Sequence, residues 1–366
     1  MNNIPPIDLA RQYQSVGVAI ESAVLEVLSS GRYIGGAPVS DFERQFANYV
    51  GTRECVSCNS GTDALFLALR SLDIGSGDEV ITTPFTFFAT AEVITAVGAT
   101  PVFVDIEAQT FNFNVEELEA AITPRTKAIL PVHLFGQPVN MTRVMEIARS
   151  RDLVVIEDCA QATGASWDGQ PVGSIGRIGC FSFFPTKNLG AFGDGGAVTT
   201  NDRALAEKMR VLKNHGATQR YYHEAIGVNS RLDALQGSIL LAKLPYLDKW
   251  NDARRTVADR YQNLLGGVAD IVLPQEYPGS RSVWNQYTIR VPHRDRLRER
   301  LSASGIGTGL YYPVPLHLQP VYRNLGYSPG RFGIVERICE EVLSLPMFPE
   351  ISLEEQQRVA SVVLGE

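Results

Sequence analysis

An α/β fold with a mostly parallel sheet is what this chain predicts, on three observations. Between Gly75 and Asp158, short apolar runs alternate with helical stretches. The runs are continuous rather than alternating in polarity, as in strands covered by helices on both faces. The connections are short, so the units read as repeated βαβ, with ligands bound at the carboxyl ends of the strands. A large domain is expected over residues 1–250. A smaller C-terminal α+β domain, with its linking helix, is expected over 251–366.

Composition agrees. A chain of 366 residues with 45% hydrophobic content can bury a large core in two domains. Its 20% charged content, without a low-complexity tract, excludes a disordered protein. The net charge of −7 argues against nucleic acid or anionic membranes as partners. Met1–Asp8 lacks a basic region followed by an apolar core, so no secretory signal is expected. No apolar run approaches the roughly 18 residues of a membrane span. Five cysteines without a signal indicate a reducing compartment. The expected location is the cytoplasm.

In chain order, Val16, Ala19, Ile20, Ala23, Val24, Val27 and Leu28 form a helical stripe that stops at Gly31. A second helix covers Val39–Val50. The intervening Gly31–Gly36 either folds over a site or is a plain connection. Cys55 and Cys58 have the spacing of a redox or metal pair, but no second pair exists and the five histidines lack metal spacing. They read as a buried strand, and no metal site is expected.

Asn59–Leu65 is a turn opening a helix, which places Ser60, Gly61 and Thr62 in its first turn. That is either a phosphate site or a plain N-cap. Strands follow at Glu79–Thr83, Pro101–Val104, Lys127–Val132 and Leu153–Ile156, and helices at Thr86–Val97, Val115–Ile122 and Met141–Arg149. Two features fall at strand ends. Phe85, Phe87 and Phe88 bring rings to the crevice, and Asp158 brings a carboxylate that is costly to bury without a partner.

Farther on, Cys180–Gly190 carries Lys187 among Phe183, Phe184, Pro185 and Leu189. Desolvation lowers an ammonium pKa, and a neutral amine can attack a carbonyl. Gly195–Thr200 reads as a strand and Ala204–Asn214 as a helix. A long helical region runs from about Val228 to Leu265, with a boundary at Gly266–Ile271. The remainder holds a Val283–Val291 strand, an Arg294–Ser304 helix and a helix from Leu353. Prolines in Tyr311–Pro320 preclude a regular helix there, so this segment reads as a substrate wall.

One ligand accounts for these features together: pyridoxal 5′-phosphate. Lys187 supplies the amine its aldehyde needs, and Gly61, Thr62 and Ser182 supply phosphate donors. Phe87 offers a ring to stack on, and Asp158 can keep the pyridine nitrogen protonated.

With these residues in view, the chain resembles the DegT/DnrJ/EryC1/StrS family of sugar aminotransferases. The resemblance is carried by Asn59–Leu65, Gly77–Thr82, Pro101–Asp105, Thr123–Ile129, Glu157–Gln161, Ser182–Lys187 and Gly227–Gln236. It implies the fold type I of pyridoxal-phosphate-dependent transferases and a Schiff base on Lys187. It implies Asp158 on the ring nitrogen, Gln161 near the phenolic oxygen, and Phe87 against the ring. The segment holding Asn229 is implied to reach the neighbouring subunit's phosphate, which makes a homodimer with shared sites. Arg231 is implied for the sugar nucleotide's pyrophosphate.

The implied reaction moves an amino group from L-glutamate to a nucleotide-linked keto sugar, with Lys187 as Schiff-base partner and then general acid/base. Lysine at 187, rather than histidine, favours transamination over dehydration. Tyr312–Pro320 and Gly227–Asp233 resemble the branch acting on 3-keto sugars, so Tyr311, Tyr312 and His317 are substrate-wall candidates. Many relatives have histidine at the Tyr311 position. Two rivals are a 4-keto sugar or cyclitol aminotransferase and a non-catalytic regulatory member of the family.

Overall fold

The structure, a computed structural model, describes residues 3–365. Met1 and Asn2, part of the stretch searched for a signal, and Glu366, the end of the second expected domain, lie outside it.

The N-terminal stripe folds as α1 (Leu9–Ser30), where the Asp8 side chain accepts from the Arg11 N–H and Gly31, left-handed at φ 67°, ends the helix. After α2 (Ala37–Val50) come β1 (Glu54–Cys58), α3 (Gly61–Ser71), β2 (Glu79–Thr82), α4 (Ala89–Ala96) and β3 (Thr100–Phe103). The short α5 (Leu118–Ala121), β4 (Thr126–Ile129), α6 (Met141–Ser150) and β5 (Val154–Asp158) continue the alternation. A small hairpin, β6 (Ser166–Trp167) and β7 (Gln170–Pro171), leads to β8 (Ile178–Ser182) and β9 (Gly196–Thr200). Then come α7 (Arg203–Leu212), a hairpin of β10 (Ala217–Gln219) and β11 (Tyr222–His223), α8 (Ala234–Lys243) and α9 (Leu247–Leu265). The C-terminal part adds β12 (Ser280–Arg281), β13 (Tyr287–Arg290), α10 (Arg294–Ala303), α11 (Gly333–Glu341), β14 (Val342–Leu345) and α12 (Leu353–Leu364).

Seven strands form one sheet in the order β1-β9-β8-β5-β4-β2-β3. The pairs from β8 across to β3 are parallel, and β9 alone runs against its neighbours. The mostly parallel α/β architecture therefore stands. Successive strand residues face opposite sides. Val80, Ala128 and Ile156 meet α3, α4 and α7, whereas Ile81, Ile129 and Val155 meet Val144 and Ile147 of α6. Toward the β1 edge, the rings of Phe181 and Phe183 stand edge-on to Phe46, with centroids 5.0 and 5.2 Å away. Cys55 and Cys58 are buried in β1, and all five cysteines are free thiols.

A second cluster joins Val257 and Tyr261 of α9 to Tyr287, Leu343 and Val359, and draws in Ile4 from the N-terminus. Leu316, Tyr322, Phe332 and Val335 instead pack on the core of the large sheet. The chain after α9 is thus shared between two cores.

Several expected elements start late or break. The Thr86–Val97 helix begins only at Ala89, because the Thr83 hydroxyl takes the Phe85 N–H at 3.1 Å and stabilises a turn instead. The Lys127–Val132 strand stops at Ile129, just ahead of Pro131. The helical region expected from Val228 begins at Ala234 and breaks at Pro245 into α8 and α9. The Val283–Val291 strand shortens to Tyr287–Arg290, and the Val115–Ile122 helix opens as a 3-10 turn. No helix among the described residues is long and apolar enough to cross a membrane.

The Phe46 ring is fully buried among Phe42, Phe181 and Phe183. Phe46→Ala should therefore lower the unfolding free energy by about 3–5 kcal/mol in urea titrations. Val18→Ala, at a position 85% exposed, should stay within about 0.5 kcal/mol.

Candidate active site

The strand ends of the large sheet open into a cavity of about 740 Å³. That volume suits a cofactor together with a substrate. Gly61, Thr62, Phe87, Asp158, Gln161, Ser182, Lys187, Tyr311 and Tyr312 all line it. Residues far apart in sequence meet there because β1, β2, β5 and β8 end on the same side.

Asp158 is the last residue of β5 and is 4% exposed. Its backbone is fixed on both sides: its N–H donates to the Pro131 carbonyl at 2.9 Å, and its carbonyl accepts from the His133 N–H at 3.0 Å. Its Oδ1 accepts from the Ala160 N–H at 3.1 Å, and its Oδ2 from the Thr90 hydroxyl at 2.9 Å. Burial raises the carboxyl's pKa, and these two donors and the Lys187 charge oppose the rise.

The neighbouring Glu157 is buried, and among the described residues no lysine or arginine pairs with it. It accepts from the N–H groups of Gly173, Ile175 and Gly176 at 2.9, 2.9 and 2.7 Å, and lies 3.1 Å from His133 Nε2. Because His133 Nδ1 accepts from the Val139 N–H, the imidazole proton is on Nε2 and points to Glu157. His133, Glu157 and Cys159 lie close together, but the first two are engaged in this latch, which fixes β5 beneath the site.

Lys187 sits in the loop between β8 and β9, its N–H donating to the Phe184 carbonyl at 2.8 Å. Gly190 closes the loop, since any Cβ there would collide with the Pro185 carbonyl. Beneath it, the buried Lys243 donates to the Gly190 carbonyl at 2.5 Å. Asn188 anchors the other side. Its Nδ2 donates to Asn251 Oδ1 at 2.7 Å and to the Val283 carbonyl at 2.9 Å, and its Oδ1 accepts from Asn285 Nδ2 at 2.8 Å. Burial pulls the Lys187 ammonium down to about 8, against the opposing pull of Asp158.

Across the cavity, Ser60 caps α3 by accepting from the Asp63 N–H at 3.1 Å. The Gly61 and Thr62 N–H groups, in the first helical turn, have no intrahelical acceptor. A Cβ at Gly61 would lie 2.6 Å from the Ser182 Cβ, so glycine lets the helix end approach the serine. Free amides, the helix dipole and the Ser182 hydroxyl make an anion cradle. The Gln161 amide is held at both ends, accepting from the Phe135 N–H at 2.7 Å and donating to the Tyr312 hydroxyl at 3.1 Å. Phe87 stands at the mouth, 59% exposed. An amine, a buried carboxylate and an anion cradle around one cavity fit pyridoxal 5′-phosphate.

Three expected residues are not on this wall. His317 is a correction: its ring is buried against Phe332, with Nε2 3.1 Å from Glu336 Oε1, because the Pro315–Gln319 turn points it into the core. It braces the loop rather than lining the cavity. Asn229 and Arg231 lie outside the cavity of their own chain, where Asn229 bridges to Asn214 and Arg231 Nη1 donates to Asn214 Oδ1 at 3.3 Å. Sequence reasoning missed Thr90, Asn188, Lys243 and the cavity-lining Asn285 and Gln286. Only the four-residue spacing of Thr86 and Thr90 could have drawn notice.

With the cofactor removed, acylation of Lys187 followed by peptide mass should rise with pH, with its midpoint at about 8. Asp158→Asn should move that profile to lower pH, because removing the carboxylate charge disfavours the ammonium.

The model of the DegT/DnrJ/EryC1/StrS aminotransferase family matches residues 14–364. A protein of Geobacillus stearothermophilus named as a pleiotropic regulatory protein is 49% identical, over 99% of this chain and 98% of its own length. The UDP-N-acetyl-3-dehydro-alpha-D-glucosamine 3-aminotransferase of Acidithiobacillus ferrooxidans is 47% identical, over 98% and 97%. The crystal structure of S. venezuelae DesV in complex with a ketimine intermediate matches with a TM-score of 0.97 at 43% identity, covering 99% of this chain and 98% of that one.

Proposed function

The chain belongs to the DegT/DnrJ/EryC1/StrS aminotransferase family, and we propose that it moves an amino group from L-glutamate to the 3-keto group of a nucleotide-linked sugar. Its cofactor is pyridoxal 5′-phosphate. The observation that carries the reading is the meeting of Lys187, Asp158 and the α3 N-terminus around one cavity. The choice of a 3-keto sugar rests on the Acidithiobacillus ferrooxidans relative, whose name specifies a 3-dehydro sugar.

When bound, the cofactor supplies an electron-accepting ring that stabilises the negative charge left by deprotonation. In this reading Gly61, Thr62 and Ser182 hold its phosphate, Phe87 covers its ring, Gln161 faces its phenolic oxygen and Asp158 keeps its nitrogen protonated. Lys187 holds the cofactor through its amine, then accepts and returns a proton. An amine titrating near 8 can do both near neutral pH. Tyr311 and Tyr312 border the sugar. The donor leaves as a 2-oxo acid and the sugar gains the amine, so nitrogen is conserved.

The same reading makes the protein a cytoplasmic homodimer, in which Asn229 and Arg231 serve the partner's site. Exposed apolar side chains, among them Tyr33, Ile34 and Phe192, support a covered face. An intact lysine and carboxylate favour catalysis over the regulatory role named for the Geobacillus relative.

The test is a two-step exchange followed by absorbance. L-Glutamate should convert the loaded protein to its amine-bearing form, and a 3-keto nucleotide sugar should restore the starting spectrum. Restoration by 4-keto sugars alone would overturn the 3-keto assignment, and no response to any donor would overturn the aminotransferase reading. Lys187→Ala should abolish both steps, and borohydride should no longer fix the cofactor to the protein.

A further inference from the structure

Asp158 does not stand alone at the end of β5. The Thr90 hydroxyl has one proton and gives it to Asp158 Oδ2 at 2.9 Å. In its 3.1 Å contact with the Thr86 hydroxyl, Thr90 is therefore the acceptor and Thr86 the donor. Both threonines are buried, 3% and 1% exposed, and both line the cavity. Thr86 precedes Phe87 in the turn ahead of α4, and Thr90 lies in the first turn of that helix. The charged or titratable groups that face Asp158 are Lys187, His133, Tyr312, Cys159 and Cys180.

We propose that Thr86 and Thr90 form a hydroxyl relay that orients the Asp158 carboxylate and ties it to the turn carrying Phe87. This rests on the reading above, in which Asp158 faces the cofactor's ring nitrogen. Donors on both oxygens stop the carboxylate from rotating. A donated chain also polarises each bond in it, so the second hydroxyl strengthens the first. Both threonines are positioning residues, acting on the cofactor through Asp158 and Phe87.

The test uses the loaded enzyme and three threonine variants, with Asp158→Asn as control. The readouts are the cofactor dissociation constant and the pH titration of the lysine-bound cofactor's absorbance. Thr90→Val, which keeps the shape and removes the hydroxyl, should weaken cofactor binding about tenfold, the scale of a lost bond to a charged group. It should also move the titration, and Thr90→Ser should restore both. Thr86→Val should shift them in the same direction by less. If Thr90→Ser is as impaired as Thr90→Val, the side-chain methyl matters and the relay is overturned. If Thr90→Val is silent while Asp158→Asn is impaired, the relay fails and the reading of Asp158 survives. If Asp158→Asn is silent as well, relay and reading fall together.

Discussion

The constraint on which the site depends is the desolvation of two opposite charges, the buried Asp158 at the end of β5 and the half-buried Lys187 in the loop after the parallel strand β8. Burial disfavours the charged form of each, and each favours the charged form of the other. Neither the carboxylate nor the loop that carries the lysine could hold its place beside apolar strand ends without fixed donors and acceptors. The structure supplies these from several elements: Ala160 and Thr90 for the carboxylate, Asn188 and Gly190 for the lysine loop. Much of the unusual local geometry, from the turn before α4 to the tight loop at Gly190, follows from that need.

The same need explains the second buried carboxylate. Glu157 faces the other side of β5 from Asp158 and never reaches the cavity. Three backbone N–H groups and the neutral His133 satisfy it. Such an anion, held by dipoles rather than by a cation, stiffens the strand without lining the cavity. Adjacent acidic residues thus divide into one that lines the cavity and one that supports the strand.

Much of this was legible in the sequence, where local chemistry leaves a local mark. The apolar run into Asp158 marks a strand end, the aromatic setting of Lys187 marks desolvation, and Ser60-Gly61-Thr62 marks a helix start. What was not legible depends on partners far along the chain. Asn188 is satisfied by Asn251 and Asn285, 63 and 97 residues away. Lys243 meets Gly190 across 53 residues, and Thr90 meets Asp158 across 68. No pattern around those residues announces the contact. His317 misled for the same reason: a polar ring in a proline-rich loop reads as a ligand, and only the packing of Phe332 and Glu336 reveals a core residue.

The asparagine triad has an implication for recombining this protein with its relatives. Asn188 comes from the lysine loop, Asn251 from α9, and Asn285 from the segment before β13 that also forms part of the cavity wall. A chimera joined anywhere between Leu265 and Asn285 would inherit two of these amides from one parent and the third from the other. A mismatch there would leave a buried amide unpaired directly beside the lysine. Exchanges of the cavity wall would therefore be expected to keep their lysine geometry only when all three amides travel as a set.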